Sequence, residues 1–455
     1  MERHWDVIVV GAGLAGLTAA ATAAGAGASV LVLDGQPPGG RARTDELGGF
    51  RLNRGAHALY RAGAGRSVLE RLGVRVRGHG PILDGARARR GDRVGALGLG
   101  PAGIARTRML TTRDKARIAR VFAAPRWKPA ALADRSAAAW FDELGLVGGA
   151  REFAEMLART ASYVADMGGV SADLVAVQVQ MAVNDGVEYL DGGWSTLVDG
   201  LARAASRRGA EFQPGARVRL VAPDGGRVRV ALTANDGPAD GASPGDVRGP
   251  LLAATDGGTL LARRVVVAAG TPAAGAALLP DRPPAWDDLG PPARAACLDM
   301  GFATPPGMTV LLGLDRPLYL IRHCPPADLA PAGGSVVHGL RYLRPNEDPS
   351  PDAVRAELVE HARLGGIDPD AAAHVRYLHR MTVAGALPVP GVGLAGRIDV
   401  GDTGHEGVLV AGDWVGPRGH LADAALASGE DAGRRAAVDM GRDPIVRAVV
   451  GRVGS

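Results

Sequence analysis

Three glycines near the start of the chain have the spacing of a phosphate-binding turn: Gly11, Gly13 and Gly16 form a GxGxxG pattern. Gly11 permits a tight turn, Gly13 lets the backbone come close to a pyrophosphate, and Gly16 lets a helix pack closely on a strand. Asp34 follows about 20 positions later, where a carboxylate can accept hydrogen bonds from a ribose. These four residues predict the binding of a dinucleotide.

A strand, a helix and a second strand must hold these residues in place. Asp6–Val10 is a mainly apolar run typical of a buried parallel strand, Leu17–Ala26 predicts a helix, and Ser29–Leu33 predicts the second strand. The helix would present free N–H groups and the positive end of its dipole to the phosphates. Val7–Leu33 carries no charge, but its glycines divide it, which favours this unit over a membrane span.

A second stretch rich in glycine and arginine helps to distinguish FAD from NAD. The sequence GGRART at Gly39–Thr44 follows the second strand, and GGFRLNRGAH at Gly48–His57 comes soon after it. An NAD-binding fold does not need this stretch, whereas FAD has a longer body to hold. Arg41 or Arg43 could pair with its phosphates, so the pattern favours FAD.

Two further motifs follow later in the chain. Gly192–Leu220 contains GGWSTLVDGL, GAEF and ARVRL, and Gly407–Gly429 contains GVLVAGDW and ends in ASG. Together with the GxGxxG unit and GFRLNRGAHALY, they resemble the superfamily of flavin-containing amine oxidases, protoporphyrinogen oxidases and phytoene desaturases in order and spacing. The resemblance implies an α/β fold with a Rossmann-like FAD-binding domain, a discontinuous α+β substrate domain and noncovalent FAD.

The resemblance also implies a role for individual residues by their position in these motifs. The residues implied to bind FAD are Val218 (adenine, through its backbone), Asp34 (ribose), Gly11, Gly13, Leu14, Ala15 and Gly16 (pyrophosphate), Gly40 and Arg41 (phosphates), Gly412 and Asp413 (ribityl chain and phosphate), and Gly55, Ala56, His57, Leu421 and Ala422 (flavin ring).

These anchors predict how the chain is divided into domains. We expect residues 1–75, 190–275 and 390–455 to form the FAD-binding domain, and residues 76–189 and 276–389 to form the substrate-binding domain. Strands are predicted at Arg217–Ala222, Arg227–Leu232 and Arg263–Ala268. The segment Ala234–Gly258 is rich in Gly, Pro, Asp and Ala, which predicts a surface loop.

Two histidines are candidate catalytic residues. A flavin can accept a hydride with little help, so the protein mainly supplies position and electrostatics. His57 and His420 are the histidines closest to the expected flavin contacts, where each could act as a base or orient a substrate. A purely structural role is the alternative for each of them.

Three features of the sequence disfavour an amine oxidase. The lysines Lys115 and Lys128 lie outside the region where those enzymes carry a lysine linked to the flavin through water. Leu421 stands where an aromatic residue is common, and no cysteine beyond Cys324 could attach the flavin. The AGDW motif with an aliphatic neighbour is more similar to carotenoid and squalene-type desaturases. An apolar pocket suits a hydrocarbon-like substrate.

We therefore expect an FAD-dependent oxidoreductase that dehydrogenates a small hydrophobic substrate, for example an isoprenoid or a carotenoid-like molecule, by hydride transfer to the flavin. The electron acceptor stays open between oxygen and a quinone. Two other functions also stay open: a flavin amine oxidase that releases hydrogen peroxide, and a nonredox prenyl-binding protein like the Rab escort and GDP-dissociation inhibitor proteins.

Composition excludes several classes of protein. The 455 residues are 46% hydrophobic and 22% charged, which excludes a wholly disordered or fibrous chain. The net charge of +4 does not indicate nucleic-acid binding. Cys297 and Cys324 form no metal-binding motif, and no targeting segment is visible, so we expect a cytoplasmic protein without a metal.

One segment has a strong excess of positive charge. Arg75–Lys128 contains fourteen Arg or Lys residues and three Asp residues. One interpretation is a peripheral membrane contact or a site for another anionic partner. The other is a solvated face in a protein that uses arginine heavily.

Overall fold

The computed structural model describes residues 4–123, 127–233 and 258–438. The predicted surface loop at Ala234–Gly258, except Gly258 itself, lies outside the described residues, as do residues 439–455 of the predicted FAD-binding domain.

The strands of the described residues form two large sheets and two small ones. In chain order they are β1 (Trp5–Val10), β2 (Val30–Asp34), β3 (Thr44–Leu47), β4 (Phe50–Asn53), β5 (Leu59–Tyr60), β6 (Gly78–His79), β7 (Arg87–Arg90), β8 (Arg93–Ala96), β9 (Val187–Leu190), β10 (Glu211–Pro214), β11 (Val218–Asp224), β12 (Arg227–Leu232), β13 (Thr259–Val267), β14 (Ala293–Phe302), β15 (Val310–Gly313), β16 (Leu318–Cys324), β17 (Ser335–Leu343), β18 (His374–Ala384) and β19 (Val408–Val410).

Helices pack on both large sheets. They are α1 (Leu14–Gly25), α2 (Ala64–Leu72), α3 (Pro101–Arg106), α4 (Thr112–Ala123), α5 (Ala137–Glu143), α6 (Gly149–Ser162), α7 (Ala172–Asn184), α8 (Ser195–Arg207), α9 (Pro272–Ala276), α10 (Pro351–Leu364) and α11 (Ala422–Val438).

The first large sheet gathers strands from distant parts of the chain. Its order is β10–β2–β1–β13–β12–β11, and β19 pairs with the second half of β13. Strands β10, β2, β1, β13 and β19 are parallel, whereas β11 and β12 form an antiparallel hairpin. The residues that follow β1, β2, β13 and β19 therefore leave the sheet at one edge. Parallel α/β sheets bind ligands at this carboxyl edge.

The second large sheet is mostly antiparallel, with the order β18–β14–β17–β16–β15–β7–β8. Helix α10 packs on one face over a cluster that includes Leu298, Leu320 and Leu358. The other face contributes Cys297, Leu340 and Tyr342 to a second apolar cluster, which also holds residues of α5, α6 and α7. Leu340 on this second face lines a cavity together with residues of the first sheet, so this face is directed towards that sheet.

The predicted strand–helix–strand unit is present at the N-terminus. Strand β1 is buried, and α1 is buried along almost its whole length because α8 and α11 pack against it. The helix begins at Leu14, three residues before the predicted Leu17, because Gly13 already serves as its N-cap. The predicted strands near 217, 227 and 263 are present as β11, β12 and β13.

Among the described residues, no helix combines the length and apolar character needed to cross a bilayer. The predicted boundaries of the two domains stay a prediction, although the two large sheets draw on the segments that the sequence assigns to different domains.

Candidate functional site

A cavity of about 940 Å³ lies at the carboxyl edge of the first large sheet and extends to the second. Its volume is near the upper end of the range for small-molecule and cofactor sites, about 300–1,000 Å³. The predicted site residues that line it are Gly11, Gly13, Leu14, Ala15, Asp34, Gly40, Arg41, Gly55, Ala56, His57, Val218, Gly412, Asp413, His420, Leu421 and Ala422. The fold therefore brings together residues that are separated by up to four hundred positions in the sequence.

Gly16 is the predicted site residue that does not line the cavity. A Cβ atom at this position would lie 1.9 Å from the backbone oxygen of Gly11 and 3.2 Å from a methyl group of Val9. Gly16 therefore lies behind the turn, where it allows α1 to approach β1.

The turn between β1 and α1 leaves space at the cavity, together with backbone N–H groups that have no partner within the helix. Gly13 is the N-cap of α1 without a side-chain cap, and nothing lies within 4 Å of the position that its Cβ would take. The first N–H groups of a helix have no partner within the helix, and they carry the positive end of its dipole. An anionic group such as a pyrophosphate fits this place.

Asp34 ends β2 at the same edge. Its Oδ2 atom accepts a hydrogen bond from the N–H of Ala12 at 2.7 Å, and its Oδ1 atom accepts one from the N–H of Gln36 at 2.8 Å. Burial raises the pKa of the Asp34 carboxyl, and the two N–H groups oppose that shift. An ionised carboxylate has about four acceptor sites, so Asp34 keeps acceptor capacity for the hydroxyl groups of a ribose.

Arg41 is held by several elements in the wall of the cavity. Its guanidinium donates to both carboxylate oxygens of Asp413, at 2.7 and 2.9 Å, and to the carbonyl oxygens of Val383 and Gly270. Asp413 also accepts a hydrogen bond from the N–H of Gly385. Arg41 thus carries its charge in a fixed position beside the phosphate-binding turn.

His57 lines the cavity. Its Nδ1 atom is 2.9 Å from the carbonyl oxygen of Gly55, and its ring packs on Trp194 with a centroid distance of 4.8 Å. His57 is half-buried, and desolvation by the surrounding protein lowers its pKa to about 4. The imidazole is therefore neutral at neutral pH and can accept a proton.

His420 lies just before α11. Its Nε2 atom is 3.1 Å from the carbonyl oxygen of Ser162, which requires a proton on Nε2, and its buried Nδ1 atom has no hydrogen-bond partner among the described residues. Burial lowers the pKa of His420 to about 4. The ring is fixed and neutral, but its free nitrogen is covered by protein, so His420 is better placed to orient the start of α11 than to take a proton.

The start of α11 forms one wall of the same region. Leu421 has a φ of 53°, a left-handed conformation that is uncommon for a residue with a branched side chain. It is followed by Ala422 at the first position of α11 and by Asp423, whose Oδ1 accepts a hydrogen bond from the N–H of Gly65. Burial raises the pKa of Asp423 to about 6.

Two tyrosines also line the cavity: Tyr60, which ends the motif GFRLNRGAHALY and is a candidate cavity residue from the sequence, and Tyr163, which the sequence does not assign to the site. The hydroxyl of Tyr60 donates to the carbonyl oxygen of Ala161, and the hydroxyl of Tyr163 donates to that of Ala56, at 2.5 and 2.8 Å. Tyr163 ends α6 with a φ of 60°. The pair ties α6 to the segment that carries His57, and no sequence motif signals Tyr163.

The sequence analysis also does not identify a buried polar cluster next to residues 52–57, which we call the His57 segment. Asp299 is fully buried on β14 and accepts hydrogen bonds from Arg376, from Nδ1 of His338 at 2.6 Å and from the thiol of Cys297 at 2.8 Å. Arg376 also bonds Asp45 and the carbonyl oxygens of Leu52 and Asn53. The sequence feature that could have revealed this cluster is Asp299, a charged residue inside the mainly apolar run AACLDMGF.

The atoms of Cys297, Asp299 and His338 are close enough to hold a metal ion, since they lie within 4.8 Å of one another. Each of them already has a hydrogen-bond partner, and the guanidinium of Arg376 occupies the other oxygen of Asp299. We therefore interpret the cluster as an ion-pair network that attaches the His57 segment to the second sheet.

Comparisons with known proteins agree with this architecture. Residues 9–72 match the model of the NAD(P)-binding Rossmann-like domain family. In sequence, no curated protein matches the chain significantly.

Several solved structures are similar over nearly the whole chain. An oxidoreductase from Methanosarcina mazei is 19% identical, with 94% of this chain and 99% of that chain covered and a TM-score of 0.67. Cyclohexylamine oxidase from Brevibacterium oxydans is 18% identical, with 96% and 100% covered and a TM-score of 0.67. Putrescine oxidase bound to putrescine is 16% identical, with 97% and 100% covered and a TM-score of 0.67. These likenesses confirm the predicted α/β fold with its Rossmann-like domain, the fold that the sequence resemblance implies.

Proposed function

We propose that this chain is an FAD-dependent oxidoreductase that dehydrogenates a hydrophobic substrate. The observation that carries the proposal is one continuous cavity, which is lined both by Asp34 and the glycine turn of the first sheet and by the apolar side chains of Leu340, Leu378 and Leu421. The amine oxidases among the similar structures support the same class of redox chemistry.

The residues present fit FAD at three places. The turn at Gly13 offers open space and unpaired N–H groups for the pyrophosphate, and Arg41 adds a fixed cation beside it. Asp34 keeps acceptor capacity for the ribose. At the other end, the start of α11 offers the N–H groups of Leu421 and Ala422, which have no partner within the helix. We propose that these groups face the flavin.

When bound, FAD would accept a hydride from a C–H bond of the substrate. Formation of a carbon–carbon double bond also requires that a proton leave the neighbouring carbon. His57 is neutral, lines the cavity and is held by Gly55 and Trp194, so we propose that it takes this proton.

The charges around the cavity support a neutral substrate over an amine. Asp413 is paired with Arg41, and Asp45 is paired with Arg43, Arg54 and Arg376. Asp423 is 2% exposed and packs against Gly63 and Gly65. Both lysines of the chain, Lys115 and Lys128, are absent from the residues that line the cavity, so neither can take the place of the lysine that amine oxidases link to the flavin through water. Among the described residues that line the cavity, Asp34 and Asp423 are the carboxylates without a cation partner, and Asp423 is almost fully buried, so an ammonium group would find few accessible carboxylates that are not already paired.

The amine oxidase alternative is favoured by a different observation, because putrescine oxidase and cyclohexylamine oxidase share the fold. One experiment separates the two functions. The purified protein is loaded with FAD and mixed without oxygen with members of three classes: amines, isoprenoids and porphyrinogens. We expect isoprenoid substrates to bleach the flavin absorbance and amines to leave it unchanged.

Bleaching by amines, with peroxide released on exposure to air, would contradict the proposed substrate class. A protein that does not take up FAD would contradict the whole proposal and would favour a nonredox binding protein.

A further inference from the structure

We infer that α3, α4 and the strand before them form a docking surface for an anionic membrane. The surface, which we call the cationic face, comprises residues 93–120. It contains six arginines and one lysine against a single carboxylate, Asp114.

The structure divides the arginine-rich segment of the sequence into two parts. Arg89 is buried and pairs with Glu360, and Arg90 pairs with Glu152, so these two arginines serve the fold. The seven cations of the cationic face have no carboxylate within ion-pair distance among the described residues; they are Arg93, Arg106, Arg108, Arg113, Lys115, Arg117 and Arg120.

The single acid of this surface does not neutralise it. Asp114 is 5% exposed, and its oxygens accept hydrogen bonds from Thr111 and from the N–H of Ala150. On the neighbouring helix α6, Glu152 pairs with Arg90 and Glu155 pairs with Arg151. The local excess of positive charge is therefore far greater than the net charge of +4 for the whole chain indicates.

Three of these cations lie on one side of helix α4. Arg113, Arg117 and Arg120 follow the spacing i, i+4, i+7 and form a stripe, whereas Ile118 and Asp114 are buried on the opposite side. Lys115 joins α4 to α3 through a hydrogen bond from its Nζ atom to the carbonyl oxygen of Ala105 at 2.8 Å.

Apolar residues lie among the cations. In and just before α3, Pro101, Ala102 and Ala105 are exposed, and Leu99 and Ile104 are half-buried. A surface that combines arginine with apolar side chains at the headgroup level is the pattern of a peripheral membrane contact.

The same residues argue against a nucleic-acid partner. Residues 93–120 contain no aromatic side chain on which a base could stack, and no Asn or Gln that could read the edge of a base. A lipid headgroup needs only the charge, and the apolar residues add contacts that a nucleic acid would not use.

The test is co-sedimentation of the full chain with vesicles, which requires neither substrate nor activity. We expect binding to vesicles that contain phosphatidylglycerol, weak binding to phosphatidylcholine alone, and loss of binding at high salt, because the attraction is screened. Each cation near an anionic surface contributes about a fivefold effect on partitioning. The variant Arg113→Gln/Arg117→Gln/Arg120→Gln should therefore weaken binding at least tenfold.

A matched control removes the same charge elsewhere. Arg203, Arg207 and Arg219 are exposed on the first sheet and its helices, so their triple Gln variant should bind as the wild type does. A second variant, Ala116→Glu/Ala119→Glu, adds carboxylates at exposed positions of α4 without removing a packed side chain, and it should also lose binding.

Three results would overturn the inference: no binding of the wild type to anionic vesicles, equal loss in both triple variants, or binding of the cationic face to duplex DNA in preference to the vesicles. None of these results bears on the proposed redox function, because FAD uptake and flavin bleaching are measured separately.

Discussion

Arg41 and Asp413 are 372 positions apart in the sequence and form a two-point ion pair in the wall of the cavity, with N–O distances of 2.7 and 2.9 Å. The same guanidinium bonds the carbonyl oxygens of Gly270 and Val383. One side chain therefore joins the loop after β13, strand β18 and the loop after β19 at the place where the phosphates of FAD are expected.

Loss of this arginine should weaken FAD binding. In Arg41→Met, the carboxylate of Asp413 would be left without its cation beside the phosphates. Hydrogen bonds to charged groups contribute about 1.5–3 kcal/mol, so we expect about a tenfold to hundredfold increase in the Kd for FAD, measured by flavin fluorescence. Arg41→Met/Asp413→Asn removes the unpaired charge and should recover part of the affinity. If the double variant binds no better than Arg41→Met, electrostatic repulsion is not the cause.

The open space at Gly13 predicts that this position controls binding rather than folding. Gly13 has a φ of −78°, which any residue can adopt, and nothing lies within 4 Å of its would-be Cβ. Gly13→Glu should fold but fail to bind FAD, because its carboxylate would enter the phosphate position. Gly13→Ala is the size control and should bind FAD. Full flavin occupancy of purified Gly13→Glu, read from the absorbance ratio of flavin to protein, would contradict the placement.

Arg376 should be important for stability. It bonds the buried carboxylate of Asp299 and also Asp45, so Arg376→Met would leave a buried charge without a partner. Breaking one side of such a pair costs about 3–5 kcal/mol. We expect a clearly lower midpoint of thermal unfolding, with partial recovery in Arg376→Met/Asp299→Asn. A midpoint equal to that of the wild type would show that the network does not hold the His57 segment in place.

His57 should affect the reaction more than cofactor binding. Removal of a general base lowers rates by about 10²–10⁴-fold, so His57→Asn should slow anaerobic flavin reduction by at least a hundredfold while the Kd for FAD stays within a fewfold of that of the wild type. The wild-type rate should also fall as the pH drops towards the pKa of about 4. His420→Gln is the comparison, because the Nδ1 atom of His420 is covered by protein. Equal rates for His57→Asn and the wild type would leave His57 with a structural role.

The parts of the site that sequence predicts best are those set by neighbours along the chain. Gly11, Gly13, Gly16 and Asp34 lie within one strand–helix–strand unit, so their spacing alone places them at the carboxyl edge of the sheet. Val218, Asp413 and Leu421 could be placed only through the family resemblance, because nothing local connects them to that unit.

Contacts that depend on the register of paired strands cannot be predicted from the sequence. Asp299 meets His338 on one side and Arg376 on the other because β14 pairs with β17 and β18 in one specific register, which the sequence does not specify. Tyr163 itself has a left-handed conformation at the end of α6, and its hydroxyl donates to the carbonyl oxygen of Ala56. In the same way, charge counting could not separate the buried Arg89 from the exposed Arg113 in the arginine-rich segment.

His420 and Asp423 predict opposite effects of pH on the stability of the apoprotein. Burial lowers the pKa of His420 from 6.5 to about 4, beside Arg397, Asp413 and the carbonyl oxygen of Ser162. Between those values, only the unfolded chain binds the proton, so His420 makes the protein less stable as the pH falls from 6.5 to 4.

Burial raises the pKa of Asp423 from 3.8 to about 6, beside Tyr60 and the N–H of Gly65. Between those values, only the folded chain holds the proton, so Asp423 makes the protein more stable as the pH falls from 6 to 3.8. Each group changes the free energy of unfolding by up to about 1.4 kcal/mol per pH unit inside its window.

The two variants should therefore change the pH dependence in opposite directions. His420→Gln should flatten the fall in the thermal midpoint of the apoprotein between pH 6.5 and 4, and Asp423→Asn should make it steeper. The measurement is thermal unfolding of each variant and the wild type across this range at one ionic strength. A parallel shift of both curves, with no change in slope, would mean that neither group titrates differently in the folded and unfolded chains.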